Sequence, residues 1–86
     1  MEAEIWLDVD EADPKDLAEI EKRFQAWYDA GAEARYDKPC FDYMAKLDKP
    51  YRYQVNFGQA DLTRAIRELH ARLYRYGVKV FVHFMH

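Results

Sequence analysis

Residues 4–10 alternate, with Ile5, Leu7 and Val9 on one side and Glu4, Trp6, Asp8 and Asp10 on the other. That period of two predicts a half-buried strand. Asp13 followed by Pro14 reads as an N-cap with proline at the first helical position, and Asp16 and Glu19 sit where the positive end of a helix dipole favours them. Leu17, Ile20, Phe24, Trp27 and Tyr28 then recur at steps of three and four, so the spacing predicts a helix over 14–30 with Gly31 as its terminator.

Residues 32–39 form a polar connection closed by Asp37-Lys38-Pro39. Two alternating runs flank Asp48-Lys49-Pro50, which predicts a hairpin. A three-residue loop sets Leu47 opposite Tyr51. Phe41, Tyr43, Ala45 and Leu47 then share a core face with Tyr51, Tyr53, Val55 and Phe57, and the other face collects Asp42, Met44, Lys46, Arg52, Gln54 and Asn56. After Gly58, helical spacing returns from Asp61 through Leu62, Ala65, Ile66, Leu69, Leu73 and Tyr76 to Gly77. The tail sets Val78, Val80, Val82 and Phe84 against Lys79, Phe81, His83 and Met85, a final strand.

The order βαββαβ, with two amphipathic helices and half-buried strands, is satisfied by one four-stranded antiparallel sheet carrying both helices on one face. This α+β pattern resembles the ferredoxin-like sandwich over the whole chain, as a single domain spanning 1–86. That architecture hosts many unrelated activities, so function must be argued from surfaces.

Composition narrows the choice. The chain has 86 residues, half of them hydrophobic, with three Gly and three Pro, as a packed globule requires. It contains no serine, which excludes a Ser-His-Asp hydrolase. Gly31, Gly58 and Gly77 are too far apart for a dinucleotide or phosphate-loop fingerprint, so no cofactor is expected. His83 and His86 fall on opposite faces of a strand, which is poor metal geometry. Cys40 stands alone and reads as a small half-buried strand residue. The amino terminus has no basic leader and no apolar run approaches a membrane span, so the expected location is cytoplasmic, with no membrane partner.

Charge is distributed unevenly. Residues 1–21 carry nine acids against one base, Lys15, a net of −8, whereas residues 22–86 carry twelve bases and seven acids, a net of +5. Helix dipoles account for part of this, with the acidic start of the first helix expected near Arg72 and Arg75 at the end of the second. Asp8, Asp10 and Glu11 lie on or just after the strand and fall outside that account. Together with Asp13, Asp16 and Glu19 they make an acidic patch suited to a basic protein surface.

A second surface is the sheet face that the helices leave bare, where Trp6 and Asp8 are expected among Phe81, His83, Arg52, Gln54, Asn56 and Met44. Aromatic anchors with a polar rim are the make-up of an interface. Asp8 with His83 could there form an acid-base pair. Arginine and tyrosine interleave at Arg35-Tyr36, Tyr51-Arg52-Tyr53 and Tyr74-Arg75-Tyr76, but neighbours on a strand point to opposite sides and make no single stacking platform.

The leading expectation is therefore a small non-enzymatic interaction protein, an inhibitor or regulator. It binds through Asp8, Asp10, Glu11, Asp13, Asp16 and Glu19, with Trp6, Phe81 and His83 on the open face as a second contact or a homodimer surface. In size and charge it resembles the compact acidic inhibitors encoded by phages, anti-CRISPR proteins among them. One alternative is an enzyme similar to the dimeric α+β barrels, with its pocket on the open face. A single-stranded nucleic-acid-binding domain ranks below both.

Overall fold

A computed structural model of the chain describes residues 2–31, 41–58 and 61–85. Cys40, the 32–39 connection with Arg35-Tyr36 and Asp37-Lys38-Pro39, and His86 lie outside these residues. The elements are β1 (Glu2–Asp8), a 3-10 turn (Pro14–Asp16), α1 (Leu17–Asp29), β2 (Tyr43–Lys46), β3 (Arg52–Asn56), α2 (Leu62–Leu73), a second 3-10 turn (Tyr74–Tyr76) and β4 (Lys79–Phe84). The sheet is antiparallel in the order β2-β3-β1-β4, the ferredoxin-like arrangement.

Local chemistry sets the boundaries. β1 stops at Asp8, two residues before the alternation ends, because the Asp8 carboxylate accepts the Asp10 N–H (3.0 Å) and closes a turn. Asp13 caps the first helical segment by accepting the Lys15 N–H (3.1 Å) beside Pro14, so this segment opens as a 3-10 turn and becomes α-helical at Leu17. Asp61 caps α2 in the same way, accepting from Arg64 N–H (3.1 Å). Gly77 ends the second helical segment at φ 75°, a left-handed conformation that glycine adopts without a Cβ penalty.

The core lies between the sheet and both helices. Ala3, Ile5 and Leu7 of β1 meet Ile20, Phe24 and Trp27 of α1 and Ala65, Leu69 and Leu73 of α2, all buried. Burial of each large apolar side chain contributes roughly 1.5–3 kcal/mol. Those residues stand at alternate strand positions and at three- and four-residue helical steps, so the hydrophobic pattern is what orients all three elements.

The hairpin departs from the sequence expectation. Leu47 N–H donates to the Arg52 carbonyl (2.9 Å), and Met44 pairs with Val55 and Ala45 with Gln54, a register one residue away from the Leu47–Tyr51 pairing. Tyr51 takes a left-handed φ of 61° and joins the loop, which thus holds four residues. A one-residue slip exchanges the faces of a strand. Met44 is buried, and Tyr43 and Ala45 turn to the uncovered side, as does Leu47 beside Glu4 and Arg52. Phe41 nevertheless packs on Trp27 and Tyr28, so the chain changes phase between Phe41 and Met44, where Asp42 N–H donates to the Asn56 carbonyl (2.8 Å).

Candidate interaction surface

β1 is an inner strand, and its outward side chains Glu4, Trp6 and Asp8 form the middle of the bare sheet face. Trp6 stands between Arg52 of β3 and Phe81 of β4; Glu4 stands between Gln54 and His83; Asp8 faces Lys79. The Trp6 and Phe81 rings lie 5.3 Å apart at 31°. The Arg52 guanidinium sits 4.8 Å from the centre of the Trp6 ring while its Nη1 donates to Glu4 Oε1 (3.0 Å). Cation–π stacking contributes roughly 0.5–1 kcal/mol at such a site, and the ion pair a similar amount.

The larger effect is on order. The Arg52 guanidinium is held by Glu4 and itself holds the indole, so less side-chain entropy remains to be lost when something binds there. Trp6 and Phe81 are nonetheless 39% and 47% exposed. Around them Glu4, Arg52, Val82 and His83 complete a shallow hollow of about 470 Å³.

This arrangement separates Asp8 from His83, the acid-base pair expected from the sequence. His83 pairs with Glu4 and Asp8 with Lys79, four residues further along β1, about 13 Å at the usual strand rise. Met44 is absent from this face, and Tyr43, 57% exposed, supplies an aromatic in its place. Among the described residues no cluster of three His, Cys, Asp or Glu could hold a metal ion. No helix among them is long and apolar enough to cross a membrane.

The six acids of the expected patch divide by task. Asp8 and Asp13 accept backbone N–H groups at a turn and a cap, and Asp13 also lies 3.5 Å from Lys15 Nζ. Glu19 accepts from Arg23 Nε (3.0 Å), and Glu11 lies 3.7 Å from Lys79 Nζ. The Glu19 carboxylate, with Tyr76 nearby, raises the Arg23 pKa above its usual value. Among the described residues the bases that meet these acids are therefore Lys15, Arg23 and Lys79, not Arg72 and Arg75. Arg72 Nε is buried without a hydrogen-bond partner, and the Arg75 guanidinium lies 6.0 Å from the Tyr76 ring centre. Asp10 is exposed and Asp16 half-buried, and among the described residues neither has an ion pair. Asp8 joins this acidic end of β1 to the Trp6 row.

Two features were not read from the sequence: the Arg52–Glu4 pair, and a second hollow of about 240 Å³ lined by Glu21, Gln25, Tyr28, Lys46 and Tyr53. Burial raises the pKa of the Tyr53 and Tyr51 phenols, and the nearby Glu21 carboxylate raises both further. Tyr53 also stacks on Phe24 at 4.2 Å, so the arginine–tyrosine triplet of β3 has its rings committed to the core side. A signal exists for Arg52–Glu4, since Glu4 alternates in phase with Trp6 and Arg52 is expected on the open face, but the pairing depends on a β1–β3 register that no local pattern sets.

Comparison with protein-family models, with curated proteins and with solved structures returns no match for this chain. Its fold is thus defined by its own topology, and its function must be sought in its surfaces.

Proposed function

We propose that this chain is a small protein-binding domain that acts by occupying a partner, as an inhibitor or regulator does. Trp6 and Phe81 are its anchors, and the acids at the end of β1 and the start of α1 form a margin that meets a basic partner surface. The observation that carries this reading is the stacked, exposed Trp6–Phe81 pair held in place by Arg52 and Glu4. Aromatic anchors fixed before binding are where interface free energy concentrates, and a charged margin speeds encounter and rejects wrong partners.

Affinity capture from the native host, followed by mass spectrometry and titration of the captured protein, tests it. Replacing Trp6 and Phe81 together with alanine is expected to weaken binding by about 30-fold or more. Charge reversal is best placed at Asp10, Glu11 and Asp16, because Asp8 and Asp13 also hold turns; it should slow association and reduce its salt dependence. Undiminished capture by the Trp6→Ala, Phe81→Ala variant, with an unchanged circular dichroism spectrum, would dismiss this surface.

A further inference from the structure

The two outer strands of the sheet are finished differently, and backbone hydrogen bonds show how. Leu7 N–H donates to the Tyr51 carbonyl (2.9 Å) and Met85 N–H to the Glu2 carbonyl (3.0 Å). Successive strand residues direct N–H and C=O to alternate sides. β1 therefore directs Ala3, Ile5 and Leu7 toward β3, and Glu2, Glu4, Trp6 and Asp8 toward β4. Their partners Lys79, Phe81 and His83 face inward, which leaves the N–H and C=O groups of Val80, Val82 and Phe84 directed away from the sheet. Among the described residues no element pairs with that side of β4.

The opposite edge is guarded. Leu47 bonds inward to Arg52, so Met44 and Lys46 are the outward residues of β2, and the Met44 carbonyl already accepts the Tyr28 hydroxyl (2.8 Å). β2 is also only four residues long, flanked by Asp42 and by Asp48-Lys49-Pro50. Short length, charge and a covering side chain are the devices that stop edge pairing. β4 has six residues, no proline, and Lys79 as its one fixed charge, while Val80, Val82 and Phe84 remain only half-buried on the helix side.

We infer that β4 pairs antiparallel with β4 of a second copy about a twofold axis, making one continuous eight-stranded sheet. A second copy fits this edge for three reasons. Twofold pairing matches outward residues to outward residues, since all three are alternate members of the same strand. It separates the two Lys79 side chains to opposite ends and brings each toward Glu2 and Glu4 of the other copy. It also uses both open edges at once, and the β2 edges left at the ends are short and guarded by Tyr28, so assembly stops at two. The Trp6–Phe81 rows of the two copies then adjoin across the axis, which would present two anchor sites on one face.

Sedimentation of the full chain at about 100 μM, a concentration that favours association over a monomer, should give twice the chain mass. Amide exchange followed by NMR should show Val80, Val82 and Phe84 protected on the order of tenfold or more beyond the same amides in a dilute sample. Val82→Pro removes an N–H that makes no bond within the sheet and should restore the monomer. Phe81→Lys, which leaves the backbone intact and sets like charges about the axis, should do the same if the proline variant fails to fold. A monomer at this concentration overturns the proposal. So does a dimer in which the three amides exchange as fast as exposed loop amides, which would assign the contact to the bare sheet face. Neither result depends on whether the captured partner needs Trp6 and Phe81.

Discussion

The β2 and β4 edges start from similar material, short alternating runs of aromatic, aliphatic and charged residues, yet one is sealed and the other open. What separates them is what lies behind. β2 is backed by Trp27 and Tyr28 of α1, with Phe41 between them at 5.1 Å and 6.3 Å from their rings, and Tyr28 reaches over to take the Met44 carbonyl. Among the described residues no side chain covers the outer edge of β4 in this way; Val80, Val82 and Phe84 touch the core from the rim. The difference teaches that the helix beside an edge can guard it, here by a side chain added to the shortness of the strand and the charges and proline that flank it.

The largest expected effect contrasts one aromatic from each side. Trp27 is wholly buried behind β2, and Trp27→Ala should cost about 3–5 kcal/mol. Phe84→Ala on the β4 side removes a half-buried ring and should cost about half as much in dilute solution, read as urea midpoints by circular dichroism. If β4 pairs with a second copy, the Phe84→Ala cost must grow with protein concentration while the Trp27→Ala cost changes much less. Equal costs for the two variants at every concentration would erase the contrast.

Much of this was visible in the chain itself, but the edges were not. β1, α1 and α2 follow from single clear periods, and Trp6, Asp8 and Phe81 fall on the bare face because each stands at an odd step from a buried neighbour. The β2 run carries apolar residues in both phases, Tyr43 and Ala45 in one and Met44 in the other, so its pattern could not choose a face. The loop chose instead, through a left-handed Tyr51 that no glycine or asparagine announced. Tyr28 reads in sequence as one more member of an apolar stripe. Its role as a cap on Met44 depends on a residue sixteen positions away, as Arg52 with Glu4 depends on a pairing between distant strands. The acidic patch was legible as charge, and the cap at Asp13 as local chemistry, whereas which acids meet Lys15, Arg23 and Lys79 required the fold.

A smaller effect is expected where β2 begins. Gly58 has φ +57° and directs its N–H to Asn56 Oδ1 (2.8 Å), and a Cβ there would collide with the Asp42 carboxylate. The carboxylate can swing aside, so the lasting cost of Gly58→Ala is the left-handed backbone, about 1–2 kcal/mol. That corresponds to a fall in Tm of roughly 4–16 °C for a domain of this size. Displacing Asp42 should also loosen its N–H bond to the Asn56 carbonyl, so exchange of the Asp42 amide should quicken more than that of any β1 amide. A Tm within a degree of the parent would mean that the sealed edge does not depend on this contact.

The smallest change in stability addresses the seal most directly. Tyr28→Phe keeps the ring against Phe41 and deletes only the hydroxyl that Met44 accepts, so it should cost about 0.5–1.5 kcal/mol, the net value of one such hydrogen bond. Its effect on assembly separates the two devices that guard β2. With the Met44 carbonyl released, the outer edges of a β4-paired dimer regain an unpaired acceptor, and species larger than two should appear in sedimentation at about 100 μM if the tyrosine is what closes the edge. If the variant loses its hydrogen-bond energy but stays at two copies, closure rests on the shortness of β2 and on its flanking Asp42, Asp48 and Pro50, because those remain when the hydroxyl is gone.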